Sequence, residues 1–143
     1  MKKRAYDYVF DLPSSMIDRT IHIFSDETVE SSPFTLVVTQ EQADPTLSEE
    51  NQIKKAIGLL TDSFPEFAMA WAQWMDVKYG RAYVCEFSWR SERGPMTQCQ
   101  VYFPARDHVL CATFSRLGPF APADKEAVVH FMHSYRLMPE RVQ

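Results

Sequence analysis

The chain has 143 residues, of which 45% are hydrophobic and 24% are charged, a composition that suits one globular domain with a real core. The 15 Lys and Arg residues against 19 Asp and Glu residues give a formal net charge of −4, and the only basic cluster is residues 2–4. Because no stripe of positive charge could follow a phosphate backbone, nucleic acid is not an expected partner. We expect a single domain over residues 1–143.

The N-terminus has the basic start of a signal peptide but lacks its apolar region. Asp7 and Asp11 interrupt the segment that follows residues 2–4. No run in the chain approaches the roughly 18 apolar residues of a membrane span. We therefore expect a soluble, cytoplasmic protein that does not itself insert into a membrane.

The first elements in chain order are predicted strands. Residues 5–11 alternate between aromatic and other side chains and end at a Leu-Pro pair. Residues 20–24 and 34–38 follow, joined by a polar loop that favours an antiparallel hairpin. Both segments are apolar on both faces, so the sheet must be covered twice. The second cover could be the protein's own helices, a second copy of the chain, or a bound client.

A helix is predicted after these strands. Thr46 and Glu49 have the T-x-x-E spacing of a capping box, and Pro65 marks the end of the helix. Its apolar residues recur at helical spacing and form one stripe that is expected to pack on the sheet. The stripe consists of Ile53, Ala56, Ile57, Leu60 and Phe64.

The rest of the chain predicts a four-strand meander and a last helix. The strands are residues 67–79, 81–91, 95–103 and 109–117, separated by turn signals. The helix starts at residues 122–124 and stops before Pro139, with a packed stripe of Ala127, Val128, Phe131, Met132 and Tyr135. The order βββ-α-ββββ-α predicts an α+β domain with an antiparallel sheet of about seven strands and helices packed on it.

The chain offers no recognisable enzyme chemistry. Its four histidines, His22, His108, His130 and His133, are scattered and form no HExxH pattern, and no glycine-rich phosphate loop is present. Cys85, Cys99 and Cys111 lack the close pairing of metal or redox sites, so we interpret them as small buried hydrophobic residues. We predict no catalytic residue, no metal site and no cofactor.

An ordered set of short motifs carries a family resemblance. These are LP at 12–13, DRTIHIF at 18–24, FSW at 87–89, QVY at 100–102 and SYR at 134–136. In this order and spacing the chain resembles the Eag-type chaperones of bacterial type VI secretion. The resemblance implies a PsbP-like fold and a homodimer. It also implies a hydrophobic groove that holds the N-terminal transmembrane segments of an effector until the effector is loaded onto the secretion spike.

The resemblance also implies where the client-binding groove lies. The matching positions are Ile21, Ile23, Val37, Phe64 and Gln100, and Ala56 stands where the family has a helix glutamine. From the residues alone, the two isoleucines and Val37 would be ordinary core beneath a helix. Only the resemblance favours a groove. The alternative is a non-catalytic PsbP-like module that binds a small apolar ligand or a folded protein partner.

Overall fold

The computed structural model describes residues 22–26, 34–78, 80–105 and 107–135, which form six strands and two helices. For the first strand, the backbone pairing alone is described. In chain order the elements are β1 His22–Asp26, β2 Phe34–Gln42, α1 Glu49–Ser63, β3 Ala68–Val77, β4 Gly80–Ser91, β5 Gly94–Pro104, β6 His108–Leu117 and α2 Pro122–Ser134.

The six strands form one antiparallel sheet in the order β1-β2-β6-β5-β4-β3. The predicted α+β class and the antiparallel β1-β2 hairpin are therefore confirmed. The seventh predicted strand, residues 5–11, lies outside the described residues. Strand β2 continues four residues beyond its predicted end, because its pairing with β6 runs on to the pair of Gln42 and His108.

Each face of the central strands has its own helix and its own apolar cluster. Helix α2 packs on one face, where the buried cluster is Ala82, Val84, Cys99, Val101, Phe103, Ala112, Phe114, Val128 and Met132. Helix α1 packs on the other, where the buried cluster is Ile53, Cys85, Phe87, Tyr102 and Val109. Side chains alternate between the two faces along each strand, so strands covered on both sides are apolar throughout.

Helix α1 begins later than the sequence predicts. Its N-cap is Ser48, whose hydroxyl accepts a hydrogen bond of 3.1 Å from the backbone N–H of Asn51. Thr46 caps nothing, because its hydroxyl donates to the carboxylate of Asp44 in the preceding turn. The predicted capping box is therefore wrong. The predicted stripe is confirmed: Ile53 is buried, and Ala56, Ile57, Leu60 and Phe64 pack against the same cluster.

Helix α2 starts at Pro122, as predicted, and four of the five residues of its predicted stripe belong to the cluster or pack against it. Val128 and Met132 are buried, while Phe131 and Tyr135 pack against them at the edge of the cluster. Ala127 is exposed, because its helical angle places it just beyond the edge of the stripe. Neither described helix is long and apolar enough to cross a membrane.

The cysteines are free thiols. Cys85 and Cys99 are buried as predicted, whereas Cys111 is half-buried. Burial raises the pKa of Cys85 to about 12 and that of Cys111 to about 11. Within the described ranges, no group of His, Cys, Asp and Glu side chains could hold a metal ion.

Candidate functional site

Helix α1 crosses its face of the sheet from the end of β2 to β4. Near its start, the side chain of Gln52 donates to the backbone oxygen of Gln42 at 3.1 Å and accepts from the N–H of Asp44 at 2.9 Å. At its end, Phe64 stacks on Trp89 of β4 with ring centroids 4.1 Å apart. The apolar cluster under α1 contains no described residue of β2. The helix therefore leaves the β2 side of this face partly uncovered.

A groove of about 390 Å³ lies beside α1 on this uncovered side. Its helix wall contains Ala56, Leu60 and Leu59, and Leu59 is 61% exposed. Its floor comes from strands β2, β5 and β6. The floor residues are Thr39, Gln100, Tyr102, Val109, Cys111 and Thr113. The groove thus combines apolar side chains on its helix wall with hydroxyl and amide groups on its floor.

Three of the positions implied by the resemblance lie in one row across the sheet. Ile23 pairs with Val37, Val37 pairs with Thr113, and Thr113 pairs with Gln100. Val37 is half-buried and belongs to neither apolar cluster. Since it lies two residues before Thr39, it shares the face of the groove floor. The row extends the floor toward β1.

The remaining implied positions are placed differently. Ile21 lies outside the described residues, and the side chain of Ile23 is not described. Phe64 does not line the groove but packs with Phe87 and Trp89 at the end of α1. Its contribution to client binding stays a prediction, while its packing on β4 is a structural fact.

Gln100 is 7% exposed and already has partners at both ends of its amide. Its Nε2 donates to the hydroxyl of Thr113 at 3.3 Å, and its Oε1 accepts from the hydroxyl of Tyr102. An amide has two N–H donors and an oxygen with two lone pairs. With respect to the described residues, one donor and one lone pair therefore remain for a ligand in the groove.

Sequence reasoning missed a second glutamine on the same face. Gln98 accepts a 2.9 Å hydrogen bond from the indole N–H of Trp89 and donates a 2.8 Å bond to the hydroxyl of Ser115. The Q-x-Q spacing of residues 98 and 100 was the available signal, because it places both amides on one face of a strand. Gln98 thus links β4, β5 and β6, whereas Gln100 links β5 to β6.

Three charged side chains also line the groove. Glu41 belongs to β2, Asp44 follows that strand, and Lys55 belongs to α1. Hydrogen bonds from the side chain and backbone of Thr46 hold the pKa of Asp44 below its ordinary value. A ligand in the groove therefore meets apolar, neutral polar and charged side chains.

Comparison with known proteins identifies the family. A family model described as DcrB matches residues 9–134, which is most of the chain. The chain belongs to the DcrB family. No curated protein matches it significantly.

Two solved structures resemble this DcrB-family chain. One is the crystal structure of PA94 from Pseudomonas aeruginosa, a protein of unknown function, with a TM-score of 0.78, 17% identity and 96% of each chain covered. The other is LpqN of Mycobacterium tuberculosis, involved in cell envelope biogenesis, with a TM-score of 0.49 and 14% identity. That match covers 74% of this chain and 62% of LpqN. At 17% identity, the likeness to PA94 shows the fold alone.

Proposed function

We propose that this DcrB-family protein is a cytoplasmic chaperone of the Eag type with a PsbP-like fold. It shields the N-terminal transmembrane helices of a type VI secretion effector in the groove beside α1 and aids loading of the effector on the secretion spike. The observation that carries the proposal is the groove with apolar Leu59 and Leu60 on its helix wall, whose floor continues onto Val37 without a described helix above it. Neither a catalytic residue nor a cofactor or metal is part of this function.

The length of the uncovered surface fits such a client. A transmembrane helix of about 20 residues is about 30 Å long. The nine residues of β2 span about 30 Å at roughly 3.4 Å per residue. A client helix laid beside α1 would follow the helix-in-groove mode, with its apolar side chains against Leu59, Leu60 and Val37.

The polar groups of the floor suit the same client. Transmembrane helices use Ser, Thr and Asn side chains to pack against one another. Among the described residues, nothing bonds to one N–H and one lone pair of the Gln100 amide, and Thr113 carries a hydroxyl beside it. Such groups satisfy a polar seam on the client that an entirely apolar groove would leave unpaired.

Burial of apolar surface is sufficient to account for the expected binding energy, and no enzymatic reaction is needed. If binding removes about 600 Å² of apolar surface from water, the gross gain is about 15 kcal/mol at about 25 cal/mol per Å². Loss of translational and rotational freedom and ordering of side chains offset much of that gain. The remainder supports firm but reversible holding, as a chaperone that hands over its cargo needs.

Capture of the client tests the proposal. The chain is co-expressed with the N-terminal hydrophobic segment of the effector encoded beside it, and capture is measured by pull-down and by solubility of the segment. Val37→Asp and Leu59→Glu are expected to reduce capture at least tenfold, because each places a charge against an apolar helix. Val129→Glu is the matched control, since Val129 is also an exposed apolar residue but lies on α2. Equal capture by all three variants would contradict the proposal.

The family resemblance suggests two further substitutions that test the groove. Ile21→Asp and Ile23→Asp, and above all the pair, are expected to abolish client capture while the protein stays folded and dimeric. Circular dichroism measures the folding, and light scattering measures the mass. If the pair unfolds the protein, these isoleucines are core residues and the groove does not extend to β1.

A small apolar ligand is the second candidate occupant. A volume of about 390 Å³ lies within the range of roughly 300–1,000 Å³ that is typical of small-molecule pockets. Native mass spectrometry of the purified protein distinguishes the two. A bound small apolar molecule, together with failure to keep a transmembrane peptide in solution, would favour the ligand-binding module.

A further inference from the structure

A second cleft, of about 330 Å³, lies on the face of the sheet opposite to α1, between β3, β4 and α2. Small-molecule sites typically have volumes of roughly 300–1,000 Å³, mostly apolar walls and a few polar groups that orient the ligand. This cleft has such a composition. Its apolar lining includes Trp71, Met75 and Met132, and its polar lining residues are Gln73, Glu86 and Lys125.

Glu86 is the charged member of a row of otherwise apolar residues. Its partners in the sheet are Trp71 on β3 and Cys99 on β5, and Cys99 in turn pairs with Phe114 on β6. Cys99 and Phe114 are buried, and Glu86 itself is half-buried. Its carboxylate therefore lies in surroundings that are less polar than water, where attraction to an opposite charge is stronger.

Helix α2 follows β5 along the cleft. Near the start of the helix, the carboxylate of Asp124 accepts a hydrogen bond from Arg116, which pairs with Thr97 on β5. At the end of the helix, Tyr135 stacks on Phe103 with ring centroids 3.8 Å apart. The helix therefore runs in the direction from Thr97 to Phe103.

This direction gives the cleft a charged end and an apolar end. Lys125 lies near the start of α2, and Glu86 pairs with Cys99, which is close to the same end of β5. Met132 lies near the end of α2, and Met75 lies four residues along β3 from the partner of Glu86. A ligand that fits this cleft has a charged head and an apolar body.

The two charged side chains have no ionic partner in the described part of the chain. Glu86 and Lys125 form neither an ion pair nor a side-chain hydrogen bond, with each other or with another described residue. The indole of Trp71 lies beside Glu86 and attracts cations to its face. A head group that carries both an ammonium and a carboxylate gives each side chain an opposite charge.

We propose that this cleft binds a small zwitterion with an apolar side chain, of the class of the large apolar amino acids. The ammonium pairs with Glu86 beside the indole of Trp71, the carboxylate pairs with Lys125, and the apolar side chain lies toward Met75 and Met132. The inference goes beyond the proposed function, because the cleft and the groove beside α1 lie on opposite faces of the sheet. It stands whether or not a client binds in that groove.

Isothermal titration calorimetry of the full chain tests the inference with L-phenylalanine, L-leucine and L-methionine as probes. At least one of them is expected to bind with a Kd below about 5 mM, as ligands of this size can. Phenethylamine lacks the carboxylate, 3-phenylpropionate lacks the ammonium, and L-alanine lacks the large side chain. Each is expected to bind at least about tenfold more weakly than the best probe. The proposal is overturned if no probe binds, or if phenethylamine or 3-phenylpropionate binds as tightly.

Substitution of each charge tests the two ion pairs separately. Glu86→Gln and Lys125→Gln are each expected to raise the Kd of the best probe at least about tenfold. Glu126→Gln is the matched control, since Glu126 is exposed on α2 and does not line the cleft. Glu86→Gln is also expected to remove the preference for L-phenylalanine over 3-phenylpropionate, which a purely structural role of Glu86 would leave intact. Unchanged affinity in both cleft variants contradicts the proposal.

Tryptophan fluorescence locates the bound probe. Of the three tryptophans, Trp71 lines this cleft, whereas Trp74 and Trp89 pack against the cluster under α1. The best probe is expected to change the emission of the wild type and of Trp74→Phe, and to leave that of Trp71→Phe unchanged. A response that persists in Trp71→Phe and disappears in Trp74→Phe would place the probe on the α1 face and overturn the inference. Client capture by Glu86→Gln is expected to equal that of the wild type, so the two proposals fail independently.

Discussion

The ring of Phe64 stacks on the indole of Trp89, with centroids 4.1 Å apart and planes 14° from parallel. The contact fixes the end of α1 on β4, away from β2. The same indole donates its N–H to Gln98, which in turn bonds Ser115. Phe64 lies at the end of α1 and does not line the groove, so the contact joins that end of the helix to β4.

Phe64→Ala is expected to lower the free energy of unfolding by about 2 kcal/mol, because it removes a half-buried ring and its stacking contact with Trp89. Leu59→Ala is the control on the same helix, and its exposed side chain predicts a loss below about 0.5 kcal/mol. Urea denaturation measures both. Equal losses would mean that the stack does not hold the helix end.

The buried ion pair of Arg116 and Asp124 predicts a large loss of stability when one of the two side chains is replaced. Nε and Nη2 of the arginine lie 2.6 and 2.8 Å from the carboxylate oxygens, and the carboxylate also accepts from the N–H of Ala121. The two side chains are only 13% and 5% exposed. Arg116→Met takes the arginine's charge and its two hydrogen bonds away from a buried carboxylate, so we expect a loss of about 3 kcal/mol in urea denaturation.

An exposed ion pair is the control for that measurement. Lys54 lies 3.2 Å from Glu50 on the surface of α1, and both side chains are more than half exposed. Lys54→Met is expected to change stability by less than about 0.5 kcal/mol. A similar result for the two substitutions would show that the Arg116 pair contributes no more than a surface contact.

The start of α1 can be tested through its two hydroxyl residues. Ser48→Ala removes the acceptor for the N–H of Asn51 and is expected to cost about 1 kcal/mol. Thr46→Ala is expected to cost less, since Thr46 bonds only within the preceding turn. Thermal unfolding of both variants measures which of the two hydroxyl groups stabilises the start of α1. The reverse order would restore the capping box that the sequence predicts.

The buried thiols predict a loss of stability in alkali. The unfolded cysteines titrate near pH 9.0, whereas folding raises the pKa of Cys85 to about 12 and that of Cys111 to about 11. At a pH between these values, the unfolded chain binds fewer protons than the folded chain. The thiols' contribution to the free energy of unfolding is therefore fully present below pH 9, and it is lost as the pH rises toward 12. The slope is up to about 1.4 kcal/mol per pH unit for each thiol.

Urea denaturation at several pH values measures that slope. Cys85→Ala is expected to flatten it, whatever the variant's stability at pH 7, because one raised thiol pKa is gone. A slope identical to that of the wild type would assign the alkaline loss to other groups. Labelling with a thiol reagent at pH 8 is expected to be slow in the folded protein and fast in urea, since little thiolate forms in the folded state.

Local pattern was sufficient for most elements of the fold. The 3.6-residue spacing of Ile53, Ile57, Leu60 and Phe64 predicts α1 and the face it buries, because one apolar stripe can face the sheet only one way. The sequence pattern was less accurate for the ends of the helices and for the limits of their buried stripes. Thr46 has the spacing of a cap but lies in a turn, and Ala127 falls just outside the buried stripe.

The candidate site was only partly predictable. Gln100 lies in the groove, but its bonds to Tyr102 and Thr113 depend on register and could not be inferred from spacing. Gln98 was overlooked although it repeats the same position two residues earlier. Phe64 was assigned to the groove by resemblance, while the structure packs it against β4.

By itself, the sequence determined the α+β class, the helical stripes and the apolar strands that need two covers. These follow from periodicity, which depends on neighbours along the chain. Only the tertiary structure decided that β2 pairs with β6, that Val37, Thr113 and Gln100 form one row, and that β3 is left at an edge. The reason is physical: pairing between distant strands is selected by packing and hydrogen bonding over the whole sheet, and no local pattern encodes it.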